Sequence, residues 1–361
     1  MGPAVRMIYS YYIFPKIQNS PKIEAVRKGR NHEIMTTQKP VRWAVLGTGV
    51  IANQMAQALA AMGRTLDAVG NRTHDKAVAF AQKYNVGKVY DSYEEMFSDP
   101  GIDVIYITTP HNTHIRFLRQ ALAAGKHVLC EKSITLNSEE LEEAISLAEE
   151  NGVVLAEAMT LYHMPLYKKL RDIVASGTLG KVNLVQTNFG SFKDYNMKNR
   201  FFNRNLAGGA MLDIGVYALS LTRMFLTSNP GQMSSFVVKA PTGVDESAVI
   251  SMANQDGQLA SSTLSLHSKQ PKRAVISCEK GYIEIMEYPR SDKAVIVDAE
   301  TGQRTEIHEG CTADALQYEL QDMEAAIAGE HDMMLAYTKD VMKLMTALRK
   351  EWGVVYPEEE K

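Results

Sequence analysis

The stretch WAVLGTGVIANQMAQAL, from Trp43 to Leu59, joins an apolar run to a helix-like pattern through a short turn with the spacing Gly47-x-Gly49-x-x-Ala52. A glycine at the first position permits a tight turn, and a glycine at the second lets a pyrophosphate approach the backbone. A small third residue lets the helix pack closely on the strand, and the helix N-terminus supplies free N–H donors. The stretch therefore predicts a dinucleotide-binding turn, with a merely tight structural turn as the alternative.

Apolar runs and amphipathic patterns alternate regularly from residue 40 to about residue 160. The predicted strands cover residues 41–46, 65–70, 86–90, 103–108, 127–130 and 153–157. The predicted helices cover residues 51–62, 74–84, 114–124 and 138–150. Strands that are apolar almost throughout indicate a sheet covered on both faces, and short connections indicate that it is doubly wound and parallel. We therefore expect an N-terminal Rossmann domain over residues 40–160.

The pattern changes after residue 160 to longer alternating runs joined by turns, as in antiparallel sheets. The predicted strands cover residues 182–189, 235–239, 248–253, 258–266, 274–278, 282–287 and 293–297. Helices are predicted at residues 165–176, 313–328 and 338–352. We expect a C-terminal α+β domain, residues 161–361, with one large, mostly antiparallel open sheet that binds substrate and mediates dimerisation.

Composition excludes several classes of function. The net charge of -3 over 361 residues gives no electrostatic basis for binding nucleic acid or an anionic membrane. Three cysteines without metal-ligand spacing favour a reduced, cytoplasmic setting. Residues 1–39 are basic, interrupted by prolines and without a sustained period, so we expect a poorly ordered extension outside the folded domains.

The residues after the second predicted strand bear on the choice of dinucleotide. Asp67 lies at the spacing of a ribose-binding acid, but it opens that strand, whereas ligands bind beyond the carboxyl ends of strands. At the carboxyl end stand Asn71 and Arg72, and an arginine there would hold a 2′-phosphate. The sequence therefore favours NADP. The alternative is a solvated arginine in a site that accepts NAD as well.

His111 and His114, after the fourth strand, have metal-like spacing but no third ligand nearby in the sequence. We therefore expect no metal, and a structural or cofactor-contacting role for these histidines.

Several motifs occur in order at appropriate distances: GTGVIA, TTPHNTH, AAGKHVLCEKS, LAEAM and NRFFNRNLAGGAMLDIGVYALSL. Together they resemble the glucose–fructose oxidoreductase, inositol dehydrogenase and rhizopine catabolism (Gfo/Idh/MocA) family. Within it the motifs are most similar to the branch of dimeric dihydrodiol dehydrogenases and NADP-dependent xylose dehydrogenases. The resemblance implies a dehydrogenase that transfers hydride between a nicotinamide and a sugar, sugar derivative, polyol or diol. It further implies a homodimer, with a dimer of dimers as the alternative.

The family pattern at the fifth strand is Glu-Lys-Pro, and this chain has Glu131-Lys132-Ser133. The resemblance implies that Lys132 contacts the substrate hydroxyl and the nicotinamide end of the cofactor. Lys132 can remove a hydroxyl proton only when neutral. We therefore expect burial and the positive nicotinamide to lower its pKa by about 2–3 units from its ordinary value. The alternative is a structural Glu131–Lys132 ion pair.

The segment GGAMLDIGVYAL places Asp213 and Tyr217 four residues apart, hence on one helix face. The resemblance implies that Tyr217 hydrogen-bonds the reacting oxygen and that Asp213 holds substrate or tunes Lys132. A carboxylate near Lys132 would raise its pKa, against the effect of burial. Arg200 matches a family position that reaches the cofactor.

The expected catalytic residues are thus Lys132, Tyr217 and Asp213. The expected cofactor-binding residues are Gly47, Thr48, Gly49, Val50, Ile51, Ala52, Asn71, Arg72, Thr109, Pro110, Asn112, His114, Glu131, Lys132 and Arg200. Two other functions stay open for this fold: a non-catalytic NAD(P)-binding regulator and a cofactor-retaining glycoside hydrolase. Thr160 and Tyr162 depart from the tryptophan and arginine common in the branch, which puts its named substrates in doubt.

Overall fold

The computed structural model describes residues 40–360. The extension predicted for residues 1–39 lies outside the described residues. Residues 41–360 fold around two β-sheets, and this confirms the predicted combination of a doubly wound parallel sheet with a large, mostly antiparallel one. No helix among residues 40–360 is long and apolar enough to cross a membrane.

The first sheet has six parallel strands in the order β3-β2-β1-β4-β5-β6. Its strands are β1 (Trp43–Leu46), β2 (Ala68–Gly70), β3 (Lys88–Tyr90), β4 (Val104–Ile107), β5 (His127–Glu131) and β6 (Leu155–Ala158). Its helices are α1 (Val50–Ala61), α2 (His74–Tyr84), α3 (Tyr93–Ser98), α4 (His114–Ala123) and α5 (Ser138–Glu150). The strand order reverses between β1 and β4, where ligands of such sheets bind.

Alternate residues of each strand explain why the strands are apolar throughout. Ala44 and Leu46 of β1 join the core that also contains residues of α3, α4 and α5. Trp43 and Val45 face the other way, into the core formed with α1 and α2. Both faces are therefore buried, as the near-continuous apolar runs predict.

The second sheet has eight strands in the order β14-β13-β12-β11-β7-β10-β9-β8, and only the β7–β10 pair is parallel. Its strands are β7 (Val182–Gly190), β8 (Pro230–Lys239), β9 (Asp245–Asn254), β10 (Leu259–Ser265), β11 (Gln270–Cys278), β12 (Gly281–Met286), β13 (Lys293–Asp298) and β14 (Arg304–His308). The remaining helices are α6 (Pro165–Ala175), α7 (Val216–Phe225), α8 (Ala315–Ile327) and α9 (Leu335–Trp352).

Two elements escaped the sequence-based predictions. Helix α3 is a six-residue helix capped by Ser92, whose hydroxyl accepts the Glu95 N–H. Such a short helix shows little periodicity. Strand β14 lies at the sheet edge and is mostly exposed, so it lacks the apolar alternation that marks the other strands.

Helix α8 belongs to the second half of the sequence but packs on the first sheet. Its Leu316 and Leu320 lie in the same core as Trp43, and the Trp43 indole N–H donates to the carboxylate of Glu324 at 2.8 Å. The two halves of the chain therefore pack against each other. The loop between β5 and α5, residues 132–137 (the Lys132 loop), contacts the second half through Lys132.

Glu157, on β6, has a buried carboxyl group that supports this loop. Its two carboxylate oxygens accept hydrogen bonds from the Ile134 N–H (3.1 Å) and the Thr338 hydroxyl (3.0 Å). Burial raises the pKa of Glu157 to about 7. The folded state holds this proton more tightly than the unfolded chain does. The contribution of protonated Glu157 to the free energy of unfolding is therefore complete at pH values below the pKa that Glu157 has in the unfolded chain. It is lost as the pH rises through about 7.

We predict that Glu157→Gln removes this loss, because a neutral amide fills the same space and does not ionise. Relative to wild type, the free energy of unfolding of the variant should rise by about 3 kcal/mol between pH 4.5 and pH 8. Urea denaturation at several pH values measures it. A difference between the two proteins that does not change with pH would contradict the prediction.

Candidate active site

The turn between β1 and α1 has the shape that a bound dinucleotide needs. Gly47 has φ +112°, and a Cβ there would lie 2.6 Å from the Thr108 hydroxyl oxygen, so only glycine fits. A Cβ on Gly49 would meet no atom within 4 Å, which leaves open space above the N-terminus of α1. Ala52 is fully buried where the helix meets the sheet. These residues fit the phosphate cradle predicted from the sequence.

The flanking residues of the predicted cofactor set lie at the same end of the sheet. Thr48 and Ile51 are partly buried, whereas Val50 is 79% exposed at the start of the helix. The Gly47 N–H donates to the Gly70 carbonyl at 2.8 Å, so the residues that follow β2 lie directly beside this turn.

Asn71 and Arg72 are those residues. Arg72 is exposed and makes no ion pair with any residue of the described chain. Asp67 lies at the opposite end of β2, where its carboxylate accepts the Trp43 N–H at 2.8 Å. The Arg72 guanidinium is thus unpaired among the described residues, whereas the Asp67 carboxylate is hydrogen-bonded to the backbone of β1.

The residues that follow β4 support the loop after β5. His114 is fully buried, with Nε2 2.8 Å from the Thr109 carbonyl oxygen and Nδ1 3.0 Å from that of Ser133. His111 Nε2 lies 3.0 Å from the Lys132 carbonyl oxygen. Burial, reinforced by the Lys132 charge, lowers the pKa of His111 to about 3, so its ring is neutral. These two histidines hold the Lys132 loop by its carbonyl groups.

Two further residues of the predicted cofactor set, Pro110 and Asn112, open this segment. Pro110 begins the turn, and its carbonyl accepts the Thr113 N–H at 2.9 Å. The Asn112 side-chain amide donates to the Glu358 carboxylate at 2.7 Å. Asn112 therefore links the turn to the C-terminal segment.

Lys132 is the residue at which the two halves of the chain meet. Its Nζ donates to the carbonyl oxygen of Asp213 at 2.7 Å and to the Asp213 carboxylate at 3.3 Å. The same Nζ lies 5.0 Å from the centre of the Tyr217 ring. The structure thus brings Lys132 together with Asp213 and Tyr217, which lie more than 80 residues further along the sequence.

Ser133 replaces the proline of the family pattern and makes a specific contact. The Lys132–Ser133 peptide bond is cis, and the serine hydroxyl donates to the Leu212 carbonyl at 3.0 Å. Leu212 lies in a five-residue π-helix, Met211–Gly215, which leads into α7. The serine therefore adds a second link between the Lys132 loop and the segment that carries Asp213.

The charge state of Lys132 differs from the sequence-based expectation. Burial opposes the charged form, but attraction by the carboxylates of Asp213 and Glu131 outweighs it and raises the pKa of Lys132. The expectation of a lowered pKa rested on burial together with a positive nicotinamide, and burial alone does not achieve it. In the protein alone Lys132 is an ammonium group.

The neighbouring acids have distinct environments. Glu131 is partly exposed as a residue, and its carboxylate accepts a hydrogen bond from the Tyr106 hydroxyl. Burial raises the pKa of Tyr217, so its phenol stays protonated and can donate a hydrogen bond. Burial works against ionisation of Asp213, but the charges of Lys132 and Arg200 lower its pKa and keep it a carboxylate.

Arg200 approaches the same carboxylate from the solvent side. Its Nη1 lies 3.5 Å from the Asp213 oxygen that also contacts Lys132, and its side chain is 60% exposed. Asp213 is therefore shared between two cations.

A cavity of about 570 Å³ borders this cluster on the side of Tyr217. Phe189, Lys272 and Arg290 are among its lining residues, and its volume lies within the range typical of small-molecule sites. Neither Arg290, in a turn after β12, nor Tyr106, within β4, was anticipated. The sequence around each of them predicts secondary structure but contains no motif that would mark a functional residue.

Comparison with known proteins identifies the family. Residues 41–159 match the family model described as "Oxidoreductase family, NAD-binding Rossmann fold", and residues 167–284 match the GFO/IDH/MocA C-terminal domain. The trans-1,2-dihydrobenzene-1,2-diol dehydrogenase of Xenopus laevis is 30% identical over 329 residues, covering 88% of this chain and 99% of the relative. The chain belongs to the GFO/IDH/MocA oxidoreductase family.

Other relatives agree with this GFO/IDH/MocA assignment. The mouse (Mus musculus) trans-1,2-dihydrobenzene-1,2-diol dehydrogenase is 29% identical, covering 89% of this chain and 99% of its own. Among solved structures, the 3-ketoreductase KijD10 from Actinomadura kijaniata is 21% identical with a TM-score of 0.77, covering 86% of this chain and 97% of its own. The aldose–aldose oxidoreductase from Caulobacter crescentus is 22% identical with a TM-score of 0.77, covering 86% and 96%. At these identities the structures establish the shared fold.

The residues that depart from the GFO/IDH/MocA branch pattern are buried. Thr160 and Tyr162 are each 3% exposed, and His163 is fully buried with Nδ1 2.8 Å from the Asp322 carboxylate. His163 is therefore a core histidine that pairs with Asp322.

One group of three potential metal ligands occurs among residues 40–360, formed by His163, Asp322 and His331. The Lys168 ammonium also contacts the Asp322 carboxylate, at 2.8 Å, so a cation already neutralises it.

We predict that Asp213→Asn moves the limb of the pH–rate profile on which substrate oxidation speeds up with rising pH to lower pH. Removing the carboxylate leaves burial as the main influence on Lys132, so its pKa falls and the neutral amine forms at lower pH. The profile of kcat against pH measures the shift, and Asp172→Asn, an exposed acid on α6, serves as control. An ascending limb that stays at the wild-type pH would disprove tuning by Asp213.

Proposed function

We propose that the protein transfers hydride between a nicotinamide cofactor, with NADP favoured, and a hydroxyl or carbonyl carbon of a sugar, sugar derivative, polyol or diol. Lys132 serves as the proton-transfer group. The observation that carries the proposal is the cluster of Lys132, Asp213 and Tyr217 beside the carboxyl end of β5. Dinucleotides bind at this edge of a doubly wound sheet.

The proton chemistry follows from the contacts of Lys132. Alcohol oxidation releases the hydroxyl proton, and a neutral Lys132 amine accepts it; in carbonyl reduction the ammonium returns it. Tyr217 donates a hydrogen bond to the same oxygen because its phenol stays protonated. A nicotinamide held at this edge of the sheet would supply the hydride chemistry. Asp213 holds the Lys132 side chain in place through two contacts.

The turn Gly47–Ala52 would hold the cofactor pyrophosphate, with Thr109, Pro110, Glu131 and Arg200 closer to the nicotinamide end. Support for NADP comes from the unpaired guanidinium of Arg72 beside that turn. KijD10 was crystallised with NADP, whereas the levoglucosan dehydrogenase of the same fold was crystallised with NADH, so the fold admits either cofactor.

We predict that Arg72→Gln lowers the ratio of kcat/KM for NADP+ to that for NAD+ by about tenfold or more, because a charge-assisted phosphate contact is lost. Steady-state kinetics with both cofactors measure the ratio, and NAD+ serves as the internal control. An unchanged ratio would mean that Arg72 does not contact the 2′-phosphate.

The substrate class rests on the relatives. The similar curated proteins act, by their names, on a dihydrodiol, and proteins of the same fold include a sugar 3-ketoreductase and an aldose–aldose oxidoreductase. A vicinal diol is the feature common to dihydrodiols and sugars, and Lys132 with Tyr217 can address one of its oxygens.

The outer face of the second sheet supports a homodimer, with a dimer of dimers as the alternative. Phe236 is 80% exposed and pairs in register with Val249, which is 49% exposed, while their neighbours along the strands point into the core. Exposed apolar pairs on an open sheet are typical of subunit interfaces. Sedimentation velocity that shows only a monomer at micromolar concentration would refute this.

We place the protein in the cytoplasm, because Cys130, Cys278 and Cys311 are all unpaired. Fractionation of the source cells that recovers the protein outside the cytoplasm would refute this. We expect no nucleic-acid or membrane partner.

We predict that Lys132→Met abolishes turnover, by about a hundredfold or more, while cofactor still binds. Methionine keeps much of the side-chain volume and removes the exchangeable proton. Reduction of NADP+ and NAD+ by both proteins is followed across aldoses, inositols, polyols and trans-diols, and cofactor binding is followed by nucleotide fluorescence.

The outcomes separate the alternatives. Turnover on one substrate class that is lost in the variant supports the dehydrogenase and names the class. Tight cofactor binding without turnover of any compound would instead favour a regulator. Release of sugar from glycosides without net cofactor reduction would favour a hydrolase.

A further inference from the structure

Two cations lie close to one aromatic ring in the segment between strand β7 and helix α7. The Lys193 ammonium lies 4.3 Å from the centre of the Phe201 ring, and the Arg200 guanidinium carbon lies 4.2 Å from it. Asn199 fixes the loop, because its side-chain oxygen accepts the Phe201 N–H at 2.9 Å and its amide donates to the Asp194 carbonyl at 2.9 Å. The positions of both cations are therefore set by the fold of the loop.

The positive charge here exceeds the negative charge. Lys132 and Arg200 share one Asp213 oxygen, at 3.3 and 3.5 Å. Lys193 has no ion pair within 4 Å among residues 40–360. Lys132, Arg200 and Lys193 thus carry three positive charges against two nearby carboxylates, those of Asp213 and Glu131, so one positive charge is left unbalanced.

The electrostatics of Lys193 agree with this count. Burial lowers the pKa of Lys193, and attraction by Asp213 opposes this lowering. Repulsion by the neighbouring cations lowers the pKa further; these are Arg200, Lys132 and Lys272. A half-buried ammonium without a counter-charge is costly, and an anion bound beside it would offset the cost.

We propose that Lys193 and Arg200 form an anion subsite, so that the substrate carries a carboxylate or phosphate group besides the hydroxyl that reacts at Lys132. This inference rests on the proposed function and narrows its substrate class. Lys193 lies in the second half of the chain, directly after β7, whereas the phosphates of the cofactor are assigned to the Gly47–Ala52 turn. The anion bound by Lys193 therefore belongs to the substrate.

The test compares matched compounds that differ in charge: glucose, glucuronate and glucose 6-phosphate, and a trans-diol with and without a carboxylate. In wild type we expect kcat/KM to be at least about tenfold higher for an anionic compound than for its neutral partner. Lys193→Gln should reduce that ratio about tenfold. Lys198→Gln, an exposed lysine of the same loop, should leave the ratio at its wild-type value. Carboxylate and phosphate compounds that respond differently identify which group is bound.

A binding measurement decides the inference even if none of these compounds is turned over. Glucuronate and inorganic phosphate are titrated calorimetrically into the NADPH-loaded wild type, Lys193→Gln and Lys198→Gln. Anion binding that weakens only in Lys193→Gln supports the subsite, whatever becomes of the proposed reaction. Equal or absent anion binding in wild type and Lys193→Gln would overturn it. A loss of NADPH affinity in Lys193→Gln would overturn it as well, by placing Lys193 on the cofactor.

Discussion

The contact between Lys132 and Asp213 is the constraint around which this molecule is arranged. Lys132 directly follows strand β5 of the parallel sheet, and Asp213 lies in the π-helix that precedes α7, so the contact joins the two halves of the chain. A buried ammonium needs a counter-charge and hydrogen-bond acceptors, and Asp213 provides both through its carboxylate and its carbonyl oxygen. The supporting contacts of His111, His114 and Ser133 all position this loop.

Much of the parallel sheet could be predicted, because its strands are short, apolar and separated by amphipathic helices. The helices His74–Tyr84 and Ser138–Glu150 begin and end at the predicted residues, since cap residues and turns mark their ends. The strand order of the second sheet could not be predicted, because β7 pairs with β10 and β11, which are distant in sequence. The packing of α8 on the first sheet is equally non-local.

In the candidate site, too, the local features could be predicted from the sequence and the non-local ones could not. A local motif singles out Lys132, and another singles out Asp213 and Tyr217, because each motif has a fixed spacing. The balance between burial and attraction at Lys132 depends on distances between residues of the two halves of the chain, and no spacing within either motif specifies those distances. Lys193 and Arg290 stand in loops without a motif, so only the folded chain shows that they lie near the site.

A raised pKa at Lys132 also bears on the direction of the reaction. A catalyst does not alter the equilibrium between alcohol and carbonyl, so the ammonium form does not by itself make the protein a reductase. It does decide which direction needs a prior deprotonation: reduction begins with the proton already on Lys132, and oxidation begins only after that proton has left. Any positive charge brought close to Lys132 lowers the cost of this deprotonation, and Asp213 raises it. Arg200 and Lys132 contact the same Asp213 oxygen. A bound anion that draws Arg200 away from Asp213 would therefore strengthen the attraction between Asp213 and Lys132 and raise the pKa of Lys132 further. With an anion bound at the proposed subsite, substrate charge and proton transfer at Lys132 would be coupled through one carboxylate oxygen of Asp213.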